Sequence, residues 1–142
     1  MPLKGFGVIL TFAETIETEN KDFYLQGTSQ LPEGEVKSFL YELVKEKEKQ
    51  IKQVQRVRRE NVAEMILEPV EGFTRDRFLV NLSGVNAADP DEVVETARKI
   101  EERNLNYYRE AAKKMKSHPE VASALQQLEK KQKKLLSKMD SL

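Results

Sequence analysis

A glutamate, an asparagine and a tyrosine recur in the same order and spacing at two places in this chain of 142 residues. Residues 16–24 read Ile-Glu-Thr-Glu-Asn-Lys-Asp-Phe-Tyr, and residues 100–108 read Ile-Glu-Glu-Arg-Asn-Leu-Asn-Tyr-Tyr, a shared Ile-Glu-x-x-Asn-x-x-(Phe/Tyr)-Tyr pattern 84 positions apart. The match extends backwards, pairing Ile9 with Val93, Leu10 with Val94 and Ala13 with Ala97. A repeat of this kind means two similar structural units. Glu17 and Glu101, Asn20 and Asn104, and Tyr24 and Tyr108 fall on or beside the apolar positions of those units, where a polar group needs a partner. Two carboxylates brought together in a core can bind a cation or pair with a basic side chain, and neighbouring amides and phenols can hydrogen-bond to them.

The elements that must position these groups read as four long helices. A first helix from about Gly7 to Gln30 carries the stripe Ile9, Ala13, Ile16, Asn20, Phe23 and Gly27, whose steps of three and four residues share one face. A second, from near Pro32 to about Asn61, carries Val36, Leu40, Leu43, Lys47, Gln50, Val54 and Val57. The third has a strong start signal, with Asp89 as N-cap, Pro90 at the first helical position and Glu92 completing a capping box. Its stripe is Val93, Ala97, Ile100, Asn104, Tyr107, Ala111 and Met115. Ser117 and Glu120 give a similar cap for a fourth helix bearing Val121, Leu125, Leu128, Gln132, Leu135, Met139 and Leu142. The lysines around that last stripe (Lys130, Lys131, Lys133 and Lys134) read as a solvated outer face.

Between the second and third helices lies a connection of roughly 27 residues, residues 62–88, long for a compact domain. A bundle whose second and third helices run parallel requires such a crossover. Helices of about 26 residues span roughly 39 Å, which about 27 extended residues can cover. Met65, Ile66, Leu67, Val70, Phe73, Phe78, Leu79 and Val80 give it apolar surface to pack along the bundle. The expectation is an all-α protein, a single domain over 1–142, with one hairpin over about 7–61, the crossover over 62–88 and a second hairpin over about 89–142.

Composition narrows the function classes. Charged residues make up 34% of the chain and apolar ones 39%, with six glycines and five prolines, a balance that favours long solvated helices. Zero net charge removes the broad positive field of nucleic-acid binders, so no nucleic-acid partner is expected. The absence of cysteine excludes disulfides, thiolate metal sites and thiol nucleophiles. No apolar run reaches the roughly 18 residues of a membrane span, and the stretch Gly5 to Phe12 is a poor signal peptide. A cytoplasmic protein without membrane association is the expectation, and the sequon Asn81-Leu82-Ser83 then reads as chance. No phosphate loop, HExxH pattern or calcium-loop spacing occurs. The single histidine, His118, sits at the turn between the third and fourth helices, where it reads as an exposed turn residue.

The order hairpin, crossover, hairpin, with Glu17 ahead of Phe23-Tyr24 and Glu101 ahead of Tyr107-Tyr108, resembles the ferritin-like superfamily, and within it the rubrerythrin-type branch. The resemblance covers nearly the whole chain and implies a ferritin-like four-helix bundle. Di-iron members of that superfamily use one Glu from each of two helices and a Glu-x-x-His from each of the other two. Glu17 and Glu101 match the single-carboxylate positions. The Glu-x-x-His slots fall on Lys47 and Gln50 in the second helix and on Gln132 and Leu135 in the fourth. A register shift would bring Glu46 or Glu129 inward, yet no shift supplies a histidine. The cysteine pairs that deliver electrons in full rubrerythrins are absent as well.

The resemblance therefore implies a degenerate metal site. Lys47 is the one basic residue on a core stripe, and its ammonium could lie between Glu17 and Glu101 where iron would be, with Gln50, Gln132, Asn20 and Asn104 hydrogen-bonding around it. The bland alternative is that both glutamates lie at the core boundary and reach water, though the repeat argues against the same drift occurring twice. Tyr24 and Tyr108 read as core aromatics with bonded hydroxyls.

Three functions follow. The first is a non-catalytic helical scaffold or partner-binding module, with no cofactor, an unidentified protein partner, and a homodimer as rubrerythrin-like domains imply. The second is a residual oxidoreductase holding iron or manganese at Glu17 and Glu101 and reducing peroxide or oxidising ferrous iron. The third is a helical adaptor unrelated to metals.

Overall fold

A computed structural model describes residues 6–60, 78–116 and 118–141, with side chains from Ile9 onward. It contains α1 (Phe6–Gln30), α2 (Glu35–Glu60), α3 (Pro90–Lys114) and α4 (Pro119–Met139), and no strand among the described residues. The stripes read from the sequence are the faces that the helices bury. Every stripe position with a described side chain is buried except Val36, which is half-buried.

Contacts between helices fix their directions. Arg58 reaches Glu14 at 2.9 Å and Lys21 meets Glu48 at 3.8 Å, so α1 and α2 are antiparallel. Arg98 with Asp140 at 2.7 Å and Arg109 with Glu129 at 3.3 Å make α3 and α4 antiparallel too. Across the hairpins, Tyr107 bonds to the Ile9 carbonyl at 2.5 Å and Asn104 to Asn20 at 2.8 Å, so α1 opposes α3. It follows that α2 and α3 run parallel, and the chain joining them must return along the length of the bundle. This is the all-α four-helix bundle expected, two helical hairpins joined by a long connection.

The end of that connection packs against the helices. The Phe78 ring stands edge-on to Tyr107 at a centroid distance of 5.0 Å, and Arg103 Nη1 donates to the Phe78 carbonyl at 2.8 Å. Ala87 is buried, while Val80, Leu82 and Val85 are half-buried against the core. Leu79, expected to pack, is 66% exposed, because its neighbour Phe78 takes the inward position. Met65, Ile66, Leu67, Val70 and Phe73 lie outside the described residues, as does Leu142.

Several local expectations change. α2 begins at Glu35 rather than near Pro32, after Gly34, whose φ of +155° no helix accepts. The Asp89 side chain caps α3 by accepting from the Asp91 amide at 3.0 Å. The reciprocal half of the box does not form: the Asp89 amide bonds instead to the Asn86 carbonyl at 3.0 Å, and Glu92 is exposed. α4 starts at Pro119 with His118 in the N-cap position and no side-chain cap, while Ser117 lies outside the described residues. Helices α1 and α2 pack tightly at Gly27, where an added Cβ would stand 2.5 Å from Leu40 Cδ1.

The apolar core has two parts. One gathers Ile9, Ala13, Ile16, Val54, Tyr107, Tyr108, Val121 and Leu128. The other gathers Phe23, Tyr24, Leu40, Leu43, Ala97, Ile100 and Leu135. Between them along each helix come the polar positions Glu17 and Asn20, Lys47 and Gln50, Glu101 and Asn104, and Gln132, all with zero exposure.

Candidate functional site: a buried charged centre

All four helices contribute to this polar layer. Glu17 and Asn20 lie one turn apart on α1, and Glu101 and Asn104 repeat them on α3. Lys47 and Gln50 occupy the same three-residue step on α2, and Gln132 comes from α4. Asn20, Lys47, Gln50, Asn104 and Gln132 stand on their helices' buried stripes, so the periodicity that builds the core also aims them inward, and Glu17 and Glu101 are buried one position beside theirs. The reading that Glu17 and Glu101 reach water at the core boundary is overturned, since neither has any solvent exposure.

Lys47 Nζ lies 2.5 Å from Glu101 Oε1, 3.1 Å from Gln50 Oε1, 3.3 Å from Gln132 Oε1 and 3.4 Å from Glu17 Oε2. An ammonium has three protons to donate, and these go to Glu101 and the two glutamine carbonyls. The fourth contact, to Glu17, is a charge attraction without a hydrogen bond.

The amides are oriented by what they touch. Gln132 Oε1 accepts from Lys47 and from Gln50 Nε2 at 2.9 Å, so its Nε2 turns to Glu101 Oε1 at 2.6 Å. Arg103 Nε donates to Asn104 Oδ1 at 2.7 Å. That leaves Asn104 Nδ2 to donate to Glu17 Oε1 at 2.9 Å and to Asn20 Oδ1 at 2.8 Å. Tyr24, on α1, donates its hydroxyl to Glu101 Oε2 across the bundle. Its repeat mate Tyr108 lies beside Glu17, but its hydroxyl makes no hydrogen bond of ordinary geometry. Glu17 Oε2 and Asn20 Nδ2 are likewise buried without a hydrogen bond.

The electrostatics follow from burial. Desolvation pushes the Glu17 carboxyl up from 4.5 to about 7, Lys47 opposes the rise, and the like charge of Glu101 adds to it. Burial also holds the Tyr24 and Tyr108 phenols well above their usual value, and the charges of Glu101 and Glu17 respectively add to this. Arg103 is lowered by its own desolvation, and Glu17 and Glu101 pull it back up. Its guanidinium is a second positive charge for the two acids.

Arg103 is the residue that sequence reasoning missed. It sits one position off the α3 stripe and is half-buried, and its repeat mate is Glu19, so neither periodicity nor the repeat marked it. The other expected positions sort plainly. Leu135 packs in the apolar cluster with Leu40, Leu43 and Met139. Glu46 pairs with Lys49 at 3.5 Å, and Glu129 pairs with Arg109 at 3.3 Å and Lys133 at 3.5 Å, so both serve the surface rather than the centre. Among the described residues no group of three or more histidine or acidic side chains is placed to hold a metal ion, and no helix is long and apolar enough to cross a membrane.

Comparison with known proteins adds one positive finding: a family model described as a ferritin-like domain matches residues 7–132. No curated protein and no solved structure matches the chain.

Proposed function

The chain belongs to the ferritin-like domain family, and from that premise we propose that it is a rubrerythrin-type member in which an internal ion pair has replaced the dinuclear metal centre. It then acts as a non-catalytic helical scaffold that binds a partner. One observation carries this reading: the fully buried Lys47 ammonium stands 2.5 Å from Glu101 and 3.4 Å from Glu17, the two carboxylates that the rubrerythrin-type resemblance assigns to ligand positions. A dinuclear iron or manganese centre in this fold draws on four carboxylates and two imidazoles. Here the four positions on α2 and α4 hold Lys47, Gln50, Gln132 and Leu135, which are an ammonium, two amides and an alkyl group. A cation among the ligands repels a second cation, amides are weak donors for these metals, and an alkyl group donates nothing. The residues do not fit the group, and no reaction step is assigned to it.

Family membership removes the reading in which the likeness is bundle patterning alone. It leaves scaffold against residual oxidoreductase. The deciding experiment is elemental analysis of protein purified without chelators. The expected content of iron and manganese is far below one equivalent. Near-stoichiometric metal that disappears in Glu17→Ala or Glu101→Ala would overturn the scaffold reading in favour of peroxide reduction or ferrous-iron oxidation. The scaffold is further proposed to be a homodimer paired through bundle faces, as rubrerythrin-like domains are. Light scattering should give twice the 16.4 kDa chain mass, and a monomer would refute the pairing.

A further inference from the structure

Apart from the buried centre, the surface carries a concentrated positive charge. A groove of about 500 Å³ between α2 and α4 is lined by Lys49, Lys52, Arg56 and Arg59 of α2 and Lys131 of α4. Its remaining walls are the amides of Gln53 and Gln55, and no carboxylate lines it among the described residues. The α2 cations follow one another at steps of three, four and three residues, which sets them in one row along the helix. Lys131 is held at the opposite wall by donating to Gln53 Oε1 at 2.8 Å.

A row of like charges at such spacing is unfavourable for the helix that carries it, and the chain as a whole has a net charge of zero. The acids nearest the row relieve it little. Glu46 meets Lys49 at 3.5 Å and Glu60 meets Arg56 at 4.0 Å, both long pairs in which the cation is exposed. Neither Lys52 nor Arg59 makes an ion pair among the described residues. Five converging cations with three-proton ammonium and planar guanidinium donors suit an anion of several linked charges. Among the described residues no aromatic ring lines the groove, so they offer a nucleobase nothing to stack on.

We propose that the α2–α4 groove binds an oligophosphate, with the phosphate chain lying along the row Lys49, Lys52, Arg56 and Arg59 and closed over by Lys131. This assignment is independent of the ion pair in the core and of the scaffold reading. The test is calorimetric titration of the full chain with inorganic tripolyphosphate at low ionic strength. The expected result is one site per chain, weakened about tenfold or more in Lys52→Ala/Arg59→Ala and weakened further as salt rises. A control double variant on α3, Lys99→Ala/Lys113→Ala, removes the same charge away from the groove and should keep the wild-type affinity. All four side chains are exposed, and circular dichroism checks that the helices persist. Failure of tripolyphosphate to bind at millimolar concentration would overturn the proposal, and so would equal weakening in both double variants. ATP should bind no tighter than tripolyphosphate, and an affinity about tenfold higher would overturn recognition by the phosphate chain alone.

Discussion

Glu17 and Glu101 occupy equivalent positions of the repeat, on equivalent helices and with equal burial, yet their surroundings differ. Glu101 accepts from Lys47, Gln132 and Tyr24, so both of its oxygens are bonded. Glu17 has the Asn104 amide on one oxygen, while the other has no hydrogen bond and faces the Lys47 charge at 3.4 Å. Part of the difference arises on α2 and α4, which the repeat of α1 and α3 does not govern, and part from Tyr24 and Asn104, whose repeat mates make no matching bond to the other acid. Lys47 leans to one side, and Gln132 bonds to the same side. A symmetric pair of acids around a single asymmetric cation leaves one acid well supplied and one short, and burial, only partly opposed by Lys47, raises the Glu17 carboxyl to about 7.

The comparison can be broken most severely at its pivot. Lys47→Ala leaves two carboxylates buried without their nearest cation, a class of change that costs about 3–5 kcal/mol. Chemical denaturation at neutral pH should show that loss, and an unchanged midpoint would mean that the ion pair does not hold the fold. At pH 8 the two acids should separate: Glu101→Gln breaks a fully bonded carboxylate and costs roughly 2–4 kcal/mol. Glu17→Gln removes a charge that is poorly compensated and should be close to neutral. Equal losses from the two variants would refute the asymmetry.

A pH series sharpens the same contrast. The folded-state pKa of Glu17 lies above its unfolded value, so the native protein holds this proton where the unfolded chain has released it. The stabilisation is complete below about pH 4.5 and is lost as pH rises to about 7, by an amount on the order of 3 kcal/mol. The difference in stability between wild type and Glu17→Gln, followed from pH 4 to 8, should fall across that window. A flat difference would remove Glu17 from the titration. The smallest expected effect compares the tyrosines. Tyr24→Phe loses a bond to a charged acceptor, about 1.5–3 kcal/mol, while Tyr108→Phe loses no formed hydrogen bond and should change stability by less than about 0.5 kcal/mol.

Much of the buried layer could be read in advance. Steps of three and four residues put Asn20, Lys47, Gln50, Asn104 and Gln132 on buried faces, and the repeat singled out Glu17 and Glu101. Helix caps were less legible. Asp89 caps α3 as its position suggests, but the reciprocal bond through Glu92 fails because a turn carbonyl at Asn86 already holds the Asp89 amide. Arg103 could not be read at all, because it lies beside the stripe and matters through Asn104 and the Phe78 carbonyl, contacts that exist only after α3 meets the connection.

Four helices, their inward faces and the list of polar groups in the centre were determined by the sequence itself, because helical periodicity is a property of neighbours three and four residues apart. Tertiary structure alone decided which acid Lys47 serves, which way each amide turns, and that Arg103 supplies a second positive charge. Those outcomes depend on distances of a few ångströms between side chains from different helices, and on three ammonium protons facing four oxygen atoms, which no spacing along the chain encodes.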